Sequence, residues 1–222
     1  REDLDQFALE SHQKAANATE LKYFDREILP VQAKNAEGIK EMVTADEGIR
    51  FDASIEKLAG LKTVSEGGVV TAGNASQITD GAAAVLVCNE AGLKKINANP
   101  RAEIVSISVV GDDPVYMLTG PIPASHKALS VANLSIDDID LYEVNEAFAP
   151  VPLAWAAELK ADRTKLNVNG GAMALGHPLG ATGAKLMTTL LHELERREGM
   201  YALQAICEGG GTANATIIKR VV

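Results

Sequence analysis

"YALQAICEGGGTANATIIKRV", residues 201–221, reads as two apolar runs parted by a turn. "YALQAIC" and "NATIIKRV" predict strands, and the tight "EGGGT" between them predicts an antiparallel hairpin. Just upstream, "GATGAKLMTTLLHELERR" (180–197) repeats leucine at helical spacing through Leu186, Leu190, Leu191 and Leu194, so an amphipathic helix leads into the hairpin. The alternation continues further back. "KLNVNGG" (165–171) predicts a strand, and "DLYEVNEAFA" (140–149) a short strand ending at Asn145, with a helix to about Lys160. "GPIPASHKAL" (120–129) gives a proline-rich entry to a helix with Ser125 as its cap. "EIVSISVVG" (103–111) predicts a buried strand, and "GAAAVLVCNEAGLKKI" (81–96) an apolar strand feeding a helix. Strands alternating with helices predict an α/β layered domain from about residue 100 to the end. Residues 2–20 read as a helix through Leu4, Phe7, Ala8 and Ala15. Between Phe24 and Gly73 the pattern breaks into short, charged, glycine-punctuated pieces, a loop region with little core of its own.

The chain has 222 residues, 46% hydrophobic and 23% charged, enough to bury a sizeable core in one large domain or two small ones. A net charge of -9 argues against a general nucleic-acid surface. The longest apolar run, Ala147 to Ala157, is too short to span a bilayer and contains Pro150 and Pro152. No secretory leader is visible, and the absence of an initiator Met suggests that an upstream segment has been removed. Two cysteines, Cys88 and Cys207, make no disulfide framework, so a reducing, cytoplasmic setting is the simpler expectation.

In α/β sheets functional groups gather where strands stop. Asn145, His177 and Cys207 stand at such ends. Each has an ordinary reading: Asn145 as a helix N-cap, His177 as a structural histidine, Cys207 as a small buried hydrophobe like Cys88. Their surroundings shift the balance. Gly209, Gly210 and Gly211 follow Cys207 and place bare amides beside a thiol, the construction of an oxyanion hole. Five glycines in "NVNGGAMALGHPLGATG" (167–183) open the chain around His177 to a narrow ligand. Those glycines do not match G-x-G-x-x-G, and no G-K-[ST] follows, so a nucleotide loop is a weak reading.

"TAGNASQITDGAAAV" (71–85), "GPIPAS" (120–125), "NEAFA" (145–149), "NVNGGAMALGHPLGATG" and "CEGGGTANATI" (207–217) in this order resemble the C-terminal half of a thiolase, an acetyl-CoA C-acyltransferase. The resemblance spans the whole chain and implies a layered αβαβα fold. Residues 1–78 then correspond to part of the CoA-binding loop domain, 79–99 to the last strand and helix of the N-terminal domain, and 100–222 to the C-terminal domain. It implies thiolytic cleavage of a 3-ketoacyl-CoA, or the reverse Claisen condensation. His177 would activate a nucleophilic cysteine, and Asn145 would hold a water that forms one oxyanion hole with it. Cys207 would carry the proton at the α-carbon, and the Gly209 amide would help form a second oxyanion hole. Ser76 and Phe148 would lie along CoA or substrate, and Arg50 near the nucleotide. Lys57 and Lys62 would add local positive charge, or else belong to a solvated loop. CoA and acyl-CoA are the implied substrates, with no metal and no resident cofactor, and a dimer or tetramer is the implied assembly. Glu208 and Ala213 depart from the biosynthetic pattern and look more like degradative members.

The family's nucleophilic cysteine belongs to the N-terminal half. Cys88 cannot replace it, since its apolar strand offers neither glycines nor a helix N-terminus to activate it. Three explanations stay open. The favoured one is one part of a longer or split enzyme. The others are a non-catalytic acyl-CoA-binding subunit and an inactive pseudo-enzyme.

Overall fold

The C-terminal hairpin is the spine of the fold. The computed structural model describes residues 1–222. In chain order the elements are α1 (Glu2–Glu20), β1 (Val31–Lys34), β2 (Lys40–Val43), α2 (Ile55–Ala59), α3 (Glu90–Ile96), β3 (Ala102–Gly111), α4 (Pro121–Ala132), β4 (Leu141–Val144), α5 (Pro150–Leu159), α6 (Ala172–Leu175), α7 (Thr182–Arg196), β5 (Tyr201–Cys207) and β6 (Thr212–Arg220). β5 and β6 pair antiparallel with Cys207 opposite Ala213. The sheet runs β3-β6-β5-β4, with β4 parallel to β5 and the other pairs antiparallel.

Helices cover both faces of this sheet. On one side α4 and α5 bury Leu129, Trp155 and Leu159 against Tyr142, Leu203 and Ile217. The Trp155 and Tyr142 rings meet at 5.3 Å between centroids. On the other side α7 lays Leu190 and Leu194 on Leu141, Ala202 and Ile218. The leucine spacing in the sequence is this contact. A third cluster joins Ala15 and Ala18 of α1 to Phe24, Ile49, Ala174 and Leu175, so α1 and the following loop brace α6.

Several expectations from the sequence need correcting. Ser125 caps nothing: α4 starts after Gly120 with Pro121 in its first turn, and the buried Ser125 hydroxyl accepts the Trp155 indole N–H at 2.8 Å. Proline at the first helical position, where its missing N–H costs nothing, moves the start five residues earlier. Asn145 is not an N-cap either, because α5 begins only at Pro150. Residues 165–171 form no strand. There the Asn167 carboxamide stands in for a neighbouring strand by accepting the Val144 N–H and donating to the Val144 carbonyl, each at 2.9 Å. β3 is an edge strand with only one face covered. Ser106 and Ser108 donate to carbonyls of α4, while Ile107 and Val109 face outward.

The largest correction concerns residues 81–88. They make no strand, since no other segment of this chain pairs with them, and Val85, Leu86 and Val87 are exposed. Cys88 is therefore not inside an apolar strand. It is exposed and stands one residue before Asn89, which caps α3 through the Gly92 N–H. The region from Phe24 to Gly73 is mostly exposed, as expected, with a free-standing β1–β2 hairpin. No helix is long and apolar enough to cross a membrane.

Candidate active site

The site forms where three chain segments are laced together beyond the ends of β4 and β5. Residues 74–77 are the lace. The Ser76 N–H donates to the Ala147 carbonyl at 2.9 Å, and the Ala149 N–H donates to Asn74 at 2.9 Å. On the other side the His177 N–H donates to the Gln77 carbonyl at 3.1 Å. The Gln77 carboxamide reaches the carbonyls of Gly48 (2.8 Å) and Met173 (2.7 Å). Gly176 takes φ +82° directly before His177, and a Cβ there would meet Thr79 at 2.5 Å. Glycine at this position answers both constraints.

His177 is held at both ring nitrogens. Nδ1 lies 2.6 Å from Thr182 Oγ1, and that hydroxyl donates its own proton to the Pro178 carbonyl at 3.0 Å. Thr182 must therefore accept, so Nδ1 carries the hydrogen and Nε2 is left with a lone pair. Asn145 Nδ2 approaches Nε2 at 3.2 Å. Burial, with the nearby Lys185 charge as a smaller contribution, lowers the His177 pKa below its usual value. The Lys185 ammonium is tied to the Leu175 carbonyl and stands 3.6 Å from Asp46.

Asn145 links the imidazole to the thiol. Its N–H donates to the Ala205 carbonyl of β5 at 3.0 Å, which sets it beside the end of the strand that carries Cys207. Burial pushes the Cys207 thiol up to about 11, and the Glu208 charge adds to the rise. Hydrogen bonding from the backbone and from Asn145 works against both. One oxygen remains over: Asn145 Oδ1 is buried without a partner. An unmade bond on a buried acceptor is costly, and a ligand or water at this oxygen would repay it. After Cys207 the chain turns through Gly209–Gly211, with Gly210 at φ +76° and Gly211 at +82°. Gly209 is exposed.

Beneath the site sits Glu146, a fully buried hub. Its carboxylate accepts Ser11 Oγ at 2.6 Å, Asn167 Nδ2 at 2.9 Å and the Met173 N–H at 3.2 Å. Burial nonetheless raises its pKa. A Cβ on Gly171 would come within 2.3 Å of this carboxyl. Glu143, three residues earlier, is also buried and raised well above the ordinary carboxyl range by desolvation. It borders a water-sized cavity of about 10 Å³ shared with Thr182 and Lys185.

The other candidates are more scattered. Phe148 is half-buried and bridges Ala75, within the lace. Ser76 is half-buried there too. Arg50 is exposed, with its N–H on His12 Nδ1 at 3.1 Å. Lys57 is paired with the exposed Asp52, and Lys62 lies on the surface. The structure thus groups Asn145, His177 and Cys207, with Ser76 and Phe148 adjoining, and leaves the lysines apart. Thr182, Gln77 and Glu146 do not stand out in the sequence. Thr182, five residues after His177 and opening a helix, is the one whose spacing offers a signal.

Residues 98–220 match the family model described as "Thiolase, C-terminal domain", and residues 1–91 match "Thiolase, N-terminal domain". This chain belongs to the thiolase family. It is 54% identical over 221 residues to a Mycobacterium tuberculosis protein named steroid 3-ketoacyl-CoA thiolase FadA6, covering 100% of this chain and 53% of that one. To the mitochondrial 3-ketoacyl-CoA thiolase of Bos taurus it is 47% identical over 220 residues, 99% of this chain and 55% of the relative. The crystal structure of the Bacillus anthracis acetyl-CoA acetyltransferase superposes with a TM-score of 0.95 at 44% identity, over 100% of this chain and 56% of that one. Human mitochondrial 3-ketoacyl-CoA thiolase in complex with CoA gives 0.90 at 42%, over 100% and 55%. The thiolase fold is therefore shown, and the chain spans about half the length of the curated relatives it matches.

Proposed function

We propose that this chain carries the acid/base half of a 3-ketoacyl-CoA thiolase and works with a complementary N-terminal half that brings the acyl-accepting cysteine. The observation that carries the reading is Asn145, whose carboxamide meets the His177 Nε2 lone pair and whose N–H is fastened to β5, the strand that ends at Cys207.

The roles follow from the proton inventory. With Nδ1 committed to Thr182, Nε2 is the atom that takes a proton from an approaching thiol, and a lowered pKa keeps it unprotonated at neutral pH. The thiolate so formed attacks the 3-keto carbonyl. The carbon–carbon bond breaks and the departing acetyl-CoA carbanion needs a proton at its α-carbon. Cys207, whose thiol keeps its proton at neutral pH, is suited to deliver it. CoA then gives its thiol proton to the Cys207 thiolate and attacks the acyl-enzyme thioester; the enzyme thiolate leaves, recovers its proton from His177, and the shortened acyl-CoA departs. Asn145 Oδ1 fits a bound water that would share the thioester oxygen with His177, and the Gly209 amide fits the second oxyanion. Ser76, Phe148 and Arg50 are the proposed contacts along CoA, with Lys57 a weaker candidate because Asp52 already holds it.

The exposed apolar run Val85–Val87 and the outward face of β3 are the surfaces this reading assigns to the complementary half. A homo-oligomer of the completed unit and a cytoplasmic location belong to the same proposal. The test is co-expression with that half, followed by mass spectrometry of the acyl-enzyme. His177→Ala should slow acylation by roughly 10²–10⁴-fold. Cys207→Ala should acylate normally from acetyl-CoA, a thioester exchange that breaks no carbon–carbon bond, but fail to acylate from a 3-ketoacyl-CoA, where acylation requires carbon–carbon cleavage. Equal acylation by His177→Ala and the unaltered protein would refute the assignment. Reversible CoA binding by the chain alone, with no activity from any pairing, would favour a non-catalytic subunit.

A further inference from the structure

We propose that Glu208 is a positioning residue that clamps the Gly209–Gly211 turn beside Cys207. Its carboxylate spans the turn. Oε1 accepts Asn214 Nδ2 at 2.6 Å, and Oε2 accepts Thr212 Oγ1 at 3.2 Å. The Glu208 N–H closes the same loop on the Thr212 carbonyl at 2.9 Å. Three glycines, two with positive φ, give this turn many alternatives in the absence of restraint. On its far side Gly211 packs against the Asp112 and Asp113 carbonyls, and its own carbonyl accepts the Asp112 N–H at 2.7 Å. The clamp and this contact together fix both flanks.

The charge has a second effect. Glu208 adjoins Cys207 in sequence, and its negative charge disfavours the thiolate. The other ionisable groups nearby are otherwise engaged. Asp112 accepts Thr119 Oγ1, Asp113 accepts the Val115 and Tyr116 amides, and His177 is tied to Thr182 and Asn145. A residue that holds the glycine amides and keeps Cys207 protonated would serve the proposed proton delivery, so its bearing on turnover rests on the function proposed above.

The experiment measures the site without requiring activity. Iodoacetamide labelling is followed by peptide mass spectrometry, which resolves Cys207 from Cys88, and hydrogen exchange is read at Gly209–Gly211. Glu208→Gln removes the charge and keeps both contacts, its Oε1 accepting Asn214 Nδ2 and its Nε2 donating to Thr212 Oγ1, whose hydrogen turns to the Gly209 carbonyl. Labelling of Cys207 at pH 8 should rise about threefold, the order expected of one exposed charge near a thiol, with turn exchange unchanged. Glu208→Ala removes both functions, so labelling rises and turn exchange quickens about tenfold. Unchanged labelling in Glu208→Gln overturns the electrostatic role, and unchanged exchange in Glu208→Ala overturns the clamp. If both respond as expected while every co-expressed pairing lacks thiolase activity, the function proposed above fails and the positioning role stands.

Discussion

The scaffold under His177 and the run from Ile78 to Cys88 treat their polar and apolar groups in opposite ways. In the scaffold almost every polar atom has a partner: Glu146 takes three donors, Asn167 closes both backbone groups of Val144, and Gln77 reaches two carbonyls. Along the run, Ile78 is fully exposed, Leu86 is 78% exposed, and residues 81–88 lie in no ladder. The run begins directly after Gln77, itself part of the scaffold, so the contrast is one of partners and not of location. The lesson is that this chain satisfies the polar groups around His177 by itself and leaves an apolar surface without cover.

Hydrogen exchange gives the largest expected contrast. Amides of β5 and β6 should exchange only through global opening, while those of 81–88 exchange nearly freely in the chain alone. Adding the complementary half should slow 81–88 by at least about 10³-fold and leave β5 and β6 little changed. Protection of 81–88 in the isolated, monomeric chain would erase the distinction between the two regions.

Substitution sharpens it next. Trp155→Ala should cost about 3–5 kcal/mol in denaturant unfolding, because it empties the α5 core and strands the Ser125 hydroxyl. Leu86→Ser should cost the isolated chain less than about 0.5 kcal/mol, as it removes no buried contact, yet weaken assembly with the other half. A large loss from Leu86→Ser in the isolated chain would show that the run already has a partner.

A last test concerns a buried carboxylate on the scaffold side. Desolvation raises Glu27 to about 7, against the Thr189 hydrogen bond that lowers it. Its contact with His192 Nδ1, 3.5 Å away, is not an ion pair, because burial also lowers His192, whose Nδ1 donates to the Thr188 carbonyl. Between the unfolded value near 4.5 and the folded value near 7, the native state binds more protons. Stability should therefore fall as pH rises through that window, by up to about 3 kcal/mol. Glu27→Gln should flatten the pH 5 to 8 profile of urea midpoints, and an unaltered slope would contradict the assignment.

Much of this was legible in the sequence, and the misreadings share a cause. Helical leucine spacing located α7, and β-branched runs located β5, β6 and β3, because those elements bury one face against their own chain. "KLNVNGG" misled because a single asparagine carboxamide replaced the strand partner that its apolar pattern implied. "GAAAVLVC" misled because apolar character signals burial without saying against what. In the site, Asn145, His177 and Cys207 stood out as rare residue types among glycines. Thr182, Gln77 and Glu146 did not, since a hydroxyl, an amide or an acid acquires its meaning only from what it touches.

The threonine beside His177 has one more consequence. An imidazole fastened by Thr182 at one nitrogen and met only by the Asn145 amide at the other has a single lone pair with which to trade hydrogen ions. Any step that borrows that lone pair must return the proton before His177 can serve the next. Order in time would then be imposed by a hydroxyl that never meets a substrate.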